Sequence, residues 1–501
     1  MTYEEILKQL EEYRAALASE DRLARAGLKA RPAFVSVRER FTELFSQETI
    51  VTLRGLIERT AQPKKRDQME RSLFALLEGV VESETLPIEE KILQKAAGLE
   101  TGANGLKIPY YDIASVIAQE DDFEKRNALR AAQAALAEEL TPLRVDLEHA
   151  ARQALAKFGF GTAREYSEAK KRLRYETFLQ KTIPLLQETT GMYRRVMSDV
   201  LRRAYGKELG DIGSAHALHW RAGNEFAHLF PPEKLIPLCS GAFATIGLPF
   251  EQAPQIRIDA EARPGKHPRA CCYAPHAPEE VHIIIKPQGG YEDVRGLLHE
   301  GGHAFHFAYT DPSLPYEWRG MPRSHALSET FAALIEHLPE NPLWLEHVMR
   351  VPKAAADRAG AWALLGNLFM LRRYVAKFSY ELAFDEKPYD IARNKELYAK
   401  TLRDLTGFSY EPEFWIEDMD SGFYSADYLR AWIASSQLEE HLVRTFGDRW
   451  FLKRDAGAFL KELFAKGVSW DAEELVQSLG MTAWDPLPLI RKFDGISRLL
   501  R

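Results

Sequence analysis

Cysteine is nearly absent from this sequence: Cys239, Cys271 and Cys272 are the only three in 501 residues. An odd number with two adjacent makes no disulfide framework, and without a C-x-x-C pair there is no structural zinc site, so the three are expected to be reduced, incidental thiols. No stretch approaches the roughly 20 apolar residues of a membrane span. The opening MTYEEILKQLEEYRAAL reads as a charged helix rather than an apolar signal segment, from which a cytoplasmic location is expected. Positive charge is not in excess either. Lys and Arg number 66 against 73 Asp and Glu, a net charge of −7, and the Lys-Lys-Arg runs at 64 to 66 and 170 to 172 are isolated. Neither nucleic acid nor an anionic membrane is therefore expected as a partner. Repeats and low-complexity linkers are lacking, and β character is scarce, confined to IRI at 256 to 258 and HIII at 282 to 285.

What remains is helix after helix. Thr2-Tyr3-Glu4-Glu5 is a capping-box pattern opening the first, and the stretches Glu120 to Leu155 and Ala163 to Tyr205 are rich in Ala, Leu, Arg, Lys and Glu with apolar spacing near 3.6. Gly102 to Gly105 and Phe158 to Gly161 are breaks between helices; neither follows a strand with the lysine that a phosphate loop needs. From Pro352 to Arg501 the pattern is helical again, interrupted at Gly407 to Pro412 and Asp420 to Gly422.

Chemistry concentrates at His299-Glu300-Gly301-Gly302-His303. H-E-x-x-H on a helix sets two imidazoles one turn apart on one face, able to reach one metal ion, with a carboxylate beside them that can reach the ion's water. Around it, YEDVRGLLHEGGHAFHFAY has acidic Glu292 and Asp293 in its first turn and apolar Val294, Leu297, Leu298, Phe305 and Phe307 at helical intervals. Two adjacent glycines should cost such a helix about 2 kcal/mol relative to alanine. Close approach of a substrate or of a second backbone is the simplest reason to keep them. Upstream, Val281 to Lys286 reads as a strand leading into this helix, with an edge on which an extended peptide could pair.

A third ligand is expected on a second helix, HALSETFAALIEHL at 325 to 338, where Ser328, Glu329, Ala332 and Glu336 share one side. Seven residues of helix separate Glu329 and Glu336 by about 10 Å along the axis. Both cannot bind one ion in the same way, so one should be a ligand and the other should support it.

HEGGHAFH followed by SETFAALIEH resembles the thimet oligopeptidase and oligoendopeptidase F family of zinc peptidases. In that family the histidine motif is followed by a glutamate ligand and, seven residues later, another glutamate; Glu329 and Glu336 match the pair. Ser421 to Tyr428 resembles the family's Gly-x-Tyr-x-Ala-x-Tyr stretch, with Tyr424 and Tyr428 at the tyrosine positions. The resemblance runs loosely from about Pro264 to Trp432. It implies a mainly α, bilobed helical metallopeptidase with a small β-sheet beside the H-E-x-x-H helix and a deep channel admitting short peptides. It also implies one zinc ion on His299, His303 and Glu329, Glu300 as general base, and Tyr424 and Tyr428 as donors to the developing oxyanion. An N-terminal helical region, 1–205, and a catalytic region, 206–501, would then form one bilobed unit.

The sequence departs from the family at three places. Gly301 replaces a larger residue, which could widen the floor of the site; Met419 stands where thimet-type relatives have a histidine; Ala431 replaces a later tyrosine. His325, one turn before Glu329, could orient a ligand or bind substrate, or could pack between helices. His306 could flank the site or pack, whereas His216, His219 and His228 are read as structural because no carboxylate near them has ligand spacing. The expected activity is endopeptidase cleavage of short peptides. A zinc carboxypeptidase of related fold would need a basic group for the terminal carboxylate, with Arg269, Arg323 and Arg430 as candidates, and a noncatalytic peptide-binding protein would have no use for Glu300.

Overall fold

The long amphipathic stretches of the first half form helices Tyr3–Arg25, Pro63–Ala97, Phe123–Ala156 and Tyr175–Tyr205 in a computed structural model of the protein, which describes residues 1–103 and 106–500. The capping box at the start is present: Thr2 Oγ1 accepts from the Glu5 amide at 3.2 Å, and the Glu5 carboxylate accepts from the Thr2 amide at 2.8 Å. The stretch expected as one helix from Ala163 to Tyr205 is two, Ala163–Lys171 and Tyr175–Tyr205, separated where Arg172 turns left-handed at φ 50°. No glycine or proline marks that break in the sequence.

Strands are more numerous than the sequence suggests. Glu100–Ala103 pairs antiparallel with Leu106–Pro109; Asn104 and Gly105, within the break expected there, lie outside the described residues. The second sheet has Glu280–Ile284 in the middle, parallel to Ile256–Asp259 on one side and antiparallel to Cys271–His276 on the other. The strand expected at 281 to 286 is therefore paired on both edges, which leaves it no edge for a peptide. The edge strands are Ile256–Asp259 and Cys271–His276; helix Tyr3–Arg25 packs against the second, a strand missed in the sequence because CCYAPH has a proline and no alternation.

Among the described residues apolar side chains gather in a small group, Ala326, Ala434, Ala472 and Val476, and in two large clusters. The smaller comes from the first helices, Tyr3 to Leu77, with Met321; the larger runs from Ala96 to Ile496 and joins Leu129, Tyr193 and Met197 to Leu298, Phe331 and Phe378. In the larger cluster three helices meet: the histidine helix Tyr291–Ala308, the glutamate helix Ala326–Glu336 and the tyrosine helix Tyr424–Phe446. The glutamate helix is packed between the other two and every one of its residues is buried. Among the described residues no helix is long and apolar enough to cross a membrane.

Candidate active site

The paired glycines are what bring the first two helices together. A Cβ on Gly302 would lie 2.7 Å from Ala332 Cα and 2.9 Å from the Phe331 carbonyl oxygen, so only glycine lets the histidine helix approach the backbone of the glutamate helix this closely. Gly301 points elsewhere: a Cβ there would meet the Phe243 ring at 2.4 Å. It makes room for a core aromatic and does not widen the floor of the site, contrary to the expectation from sequence.

At that closeness the polar sides of the two helices converge. The Nε2 atoms of His299 and His303 lie 3.2 Å apart; Glu329 Oε2 is 3.4 Å from the first and Oε1 is 3.6 Å from the second. One atom from each of the three residues falls within 4.8 Å of the others, a group able to hold a metal ion. Glu336 reaches the same imidazole from behind, with Oε2 2.6 Å from His299 Nδ1. The seven-residue spacing is thus resolved by a ring, which spans the gap between one carboxylate on Nε2 and another on Nδ1. A hydrogen bond to Glu336 holds the Nδ1 proton and turns Nε2 toward Glu329 and His303. Arg295, one turn before His299, closes the series with an ion pair to Glu336. The spacing 295, 299, 303 could have revealed it, since all three share a helix face.

The electrostatics favour a cation. Burial alone would raise the Glu329 carboxyl, but the two imidazoles and the Tyr424 hydroxyl hold it down at about 2. Burial alone would lower His299; the Glu336 and Glu329 charges raise it to about 10. Glu329 Oε2 is buried and has no hydrogen-bond donor among the described residues, and a buried anionic oxygen of that kind calls for a positive partner. The residues present therefore fit a divalent ion of the kind two imidazoles and a carboxylate bind. Glu300 is raised above the usual carboxylate range by burial, opposed by His299 and His303, the direction that suits a proton acceptor near neutral pH.

Tyr424, the first residue of the tyrosine helix, donates its hydroxyl to Glu329 Oε1 at 2.6 Å. Tyr428, one turn on, has its ring 4.9 Å from that of Tyr424 and stacks on Tyr374; burial and the Glu329 charge push both phenols well up. His325 precedes the glutamate helix, its ring 5.2 Å from that of Tyr424, exposed to solvent although densely surrounded by protein.

The chain has the fold of solved peptidases. A Bacillus anthracis str. Ames protein assigned as an oligoendopeptidase F superposes with a TM-score of 0.63 at 15% identity over 93% of this chain and 85% of that one. PZ peptidase A with inhibitor 2 gives a TM-score of 0.64 at 16% identity over 92% and 86%. No family model matches the sequence, and no curated protein does. At such identity the likeness is one of fold, and it bears out the mainly helical architecture with a small sheet.

His306, His216 and His219 are accounted for by packing. His306 is buried, with Nε2 3.0 Å from the Gly467 carbonyl and its ring among Phe307, Phe331 and Phe464. His216 stacks on Phe123 and accepts from Arg126, and His219 meets Tyr205 and Asp121. Met419 packs against the core, and Ala431 is buried.

Proposed function

We propose that this chain is a zinc-dependent oligoendopeptidase that hydrolyses internal bonds of short peptides in the cytoplasm. The observation that carries the reading is the convergence of His299, His303 and Glu329 from two helices, with Glu300 beside them and the Tyr424 hydroxyl against Glu329. One zinc ion per chain would be held by those three side chains and, when bound, would polarise a scissile carbonyl and acidify a water. Glu300, raised by burial, takes the proton from the attacking water and returns it to the leaving amine. Tyr424, whose one hydroxyl proton rests on Glu329 here, would turn it to the developing oxyanion once a bound ion takes up that carboxylate, and Tyr428 supplies a second hydroxyl. Glu336 orients His299 and is not a ligand.

Regions 1–205 and 206–501 act as one bilobed unit, because helices before residue 205 share their apolar cluster with the site. Of the basic candidates for the carboxypeptidase reading, Arg323 is committed to Asp67 and Glu70 and Arg430 to Asp427 and Glu473, which leaves it the exposed Arg269.

Mass spectrometry of the products from a mixed pool of short peptides, with and without chelator, tests the assignment. Internal cuts that chelator abolishes are expected. Release of single C-terminal residues would make the chain a carboxypeptidase, and no cleavage under any metal loading would sink the proposal.

A further inference from the structure

The turn that delivers Tyr424 has an unusual backbone. Gly422 and Phe423 are both left-handed, at φ 65° and φ 56°. Glycine adopts that conformation freely, but phenylalanine does not, so the turn needs outside restraint to persist.

The restraint is visible on two sides. Lys171, the last residue of Ala163–Lys171, is buried and directs Nζ to the Gly422 carbonyl at 2.7 Å, the Phe423 carbonyl at 3.3 Å and Asp427 Oδ2 at 3.1 Å. Three acceptors meet the three protons of one ammonium. Ser167, one turn earlier, donates to the Gly422 carbonyl at 3.1 Å. On the opposite side, Glu381 of the helix Lys353–Glu386 accepts from the Asp420 amide at 2.9 Å and from the Ser425 hydroxyl at 2.5 Å, while Lys377 pairs with Asp420 at 2.8 Å. Asp427 also accepts from the His325 amide at 3.2 Å, just before the glutamate helix. The clamp therefore joins the tyrosine turn to the start of the helix that carries Glu329.

We infer that Lys171 and Glu381 are positioning residues that hold the Asp420–Phe423 turn in its left-handed form and so aim the Tyr424 hydroxyl at the Glu329 carboxylate. The inference rests on the reading of Tyr424 as an oxyanion donor. It assigns the N-terminal helical region a part in the chemistry, because Lys171 belongs to that region. A buried lysine with all its protons engaged is a rigid fixture, and any loosening reaches the phenol directly, since Tyr424 follows Phe423. Removing Lys171 leaves two carbonyls and Asp427 without their shared donor, and the turn is free to relax.

Two measurements on the zinc-loaded full chain decide it. With 3-fluorotyrosine placed at 424, the native protein is expected to give one narrow ¹⁹F line, and Lys171→Met to broaden or split it while zinc content and far-ultraviolet circular dichroism stay unchanged. In peptide hydrolysis, Lys171→Met should lower kcat by about 10²-fold with KM nearly unchanged, the scale of a small misplacement. On a Tyr424→Phe background the same substitution should cost almost nothing more. An unchanged ¹⁹F line, or losses that simply multiply in the double variant, would overturn the inference. Should Lys171→Met fail to fold, Ser425→Ala removes a single hydroxyl from the clamp and is read by the same two outcomes. A native chain that cleaves no peptide would refute the functional reading and leave the ¹⁹F line to decide the clamp.

Discussion

The two walls of the site are built in different ways. One consists of the histidine and glutamate helices, where His299, His303, Glu329 and Glu336 sit at helical intervals on regular backbone and meet because Gly302 permits contact. The other is a turn with two left-handed residues, gripped by Lys171 and Glu381 from segments some 250 and 40 residues away in the chain. A wall of regular helices locates its side chains by spacing, so a few kilocalories of packing hold it. The turn locates Tyr424 only through buried charges that arrive from elsewhere. The first wall should therefore respond to substitutions one residue at a time, and the second as a network.

The sharpest break between the two is expected at Glu300. Glu300→Gln should lower kcat by about 10² to 10⁴-fold, since it removes a proton acceptor, yet retain zinc by elemental analysis, because none of the three ligands is altered. Near-native turnover would remove Glu300 from the chemistry.

Within the helical wall, Glu329→Gln should lose zinc far more readily than Glu336→Gln in a chelator competition. The first removes a charge from the ion's own cage, while loss of an orienting partner costs about 10 to 100-fold in affinity. If Glu336→Gln proved the more damaging, the roles of the two carboxylates would have to be exchanged.

On the tyrosine wall, Tyr424→Phe should reduce kcat by about 10²-fold with a smaller change in KM, as for loss of one oxyanion donor, and leave zinc content unchanged. Tyr428→Phe should be milder, because its ring stacks on Tyr374 whereas the Tyr424 hydroxyl already contacts Glu329. A change confined to KM would place both phenols in substrate binding.

The smallest effect contrasts the paired glycines. Gly302→Ala forces the histidine and glutamate helices apart and should cost about 1 to 3 kcal/mol, the range for overpacking, with weaker zinc retention. Gly301→Ala meets only the Phe243 ring, a side chain that can yield, and should lower the melting temperature without loosening zinc. Equal loss of zinc in both variants would mean that interhelical contact does not set the ligand spacing.

How much of this was legible varies by element. The histidine motif, the downstream glutamates and the helical character of the chain stand in the sequence because periodicity 3.6 is a local property. Arg295 was readable on the same argument, four residues before His299. The strand Cys271–His276 was not, as its residues have weak strand preference and it exists because Glu280–Ile284 offers it an edge. The break at Arg172 was hidden too, for no local residue requires it.

The sequence alone determined that two imidazoles and two carboxylates lie on helix faces at intervals of four and seven residues, since helical geometry converts residue number directly into position. Only the tertiary structure decided which carboxylate faces Nε2 and which faces Nδ1, that Gly301 serves the core while Gly302 serves the site, and that a lysine from the N-terminal helices holds the tyrosine turn. Those outcomes depend on contacts between segments far apart in the chain, and no local periodicity encodes them.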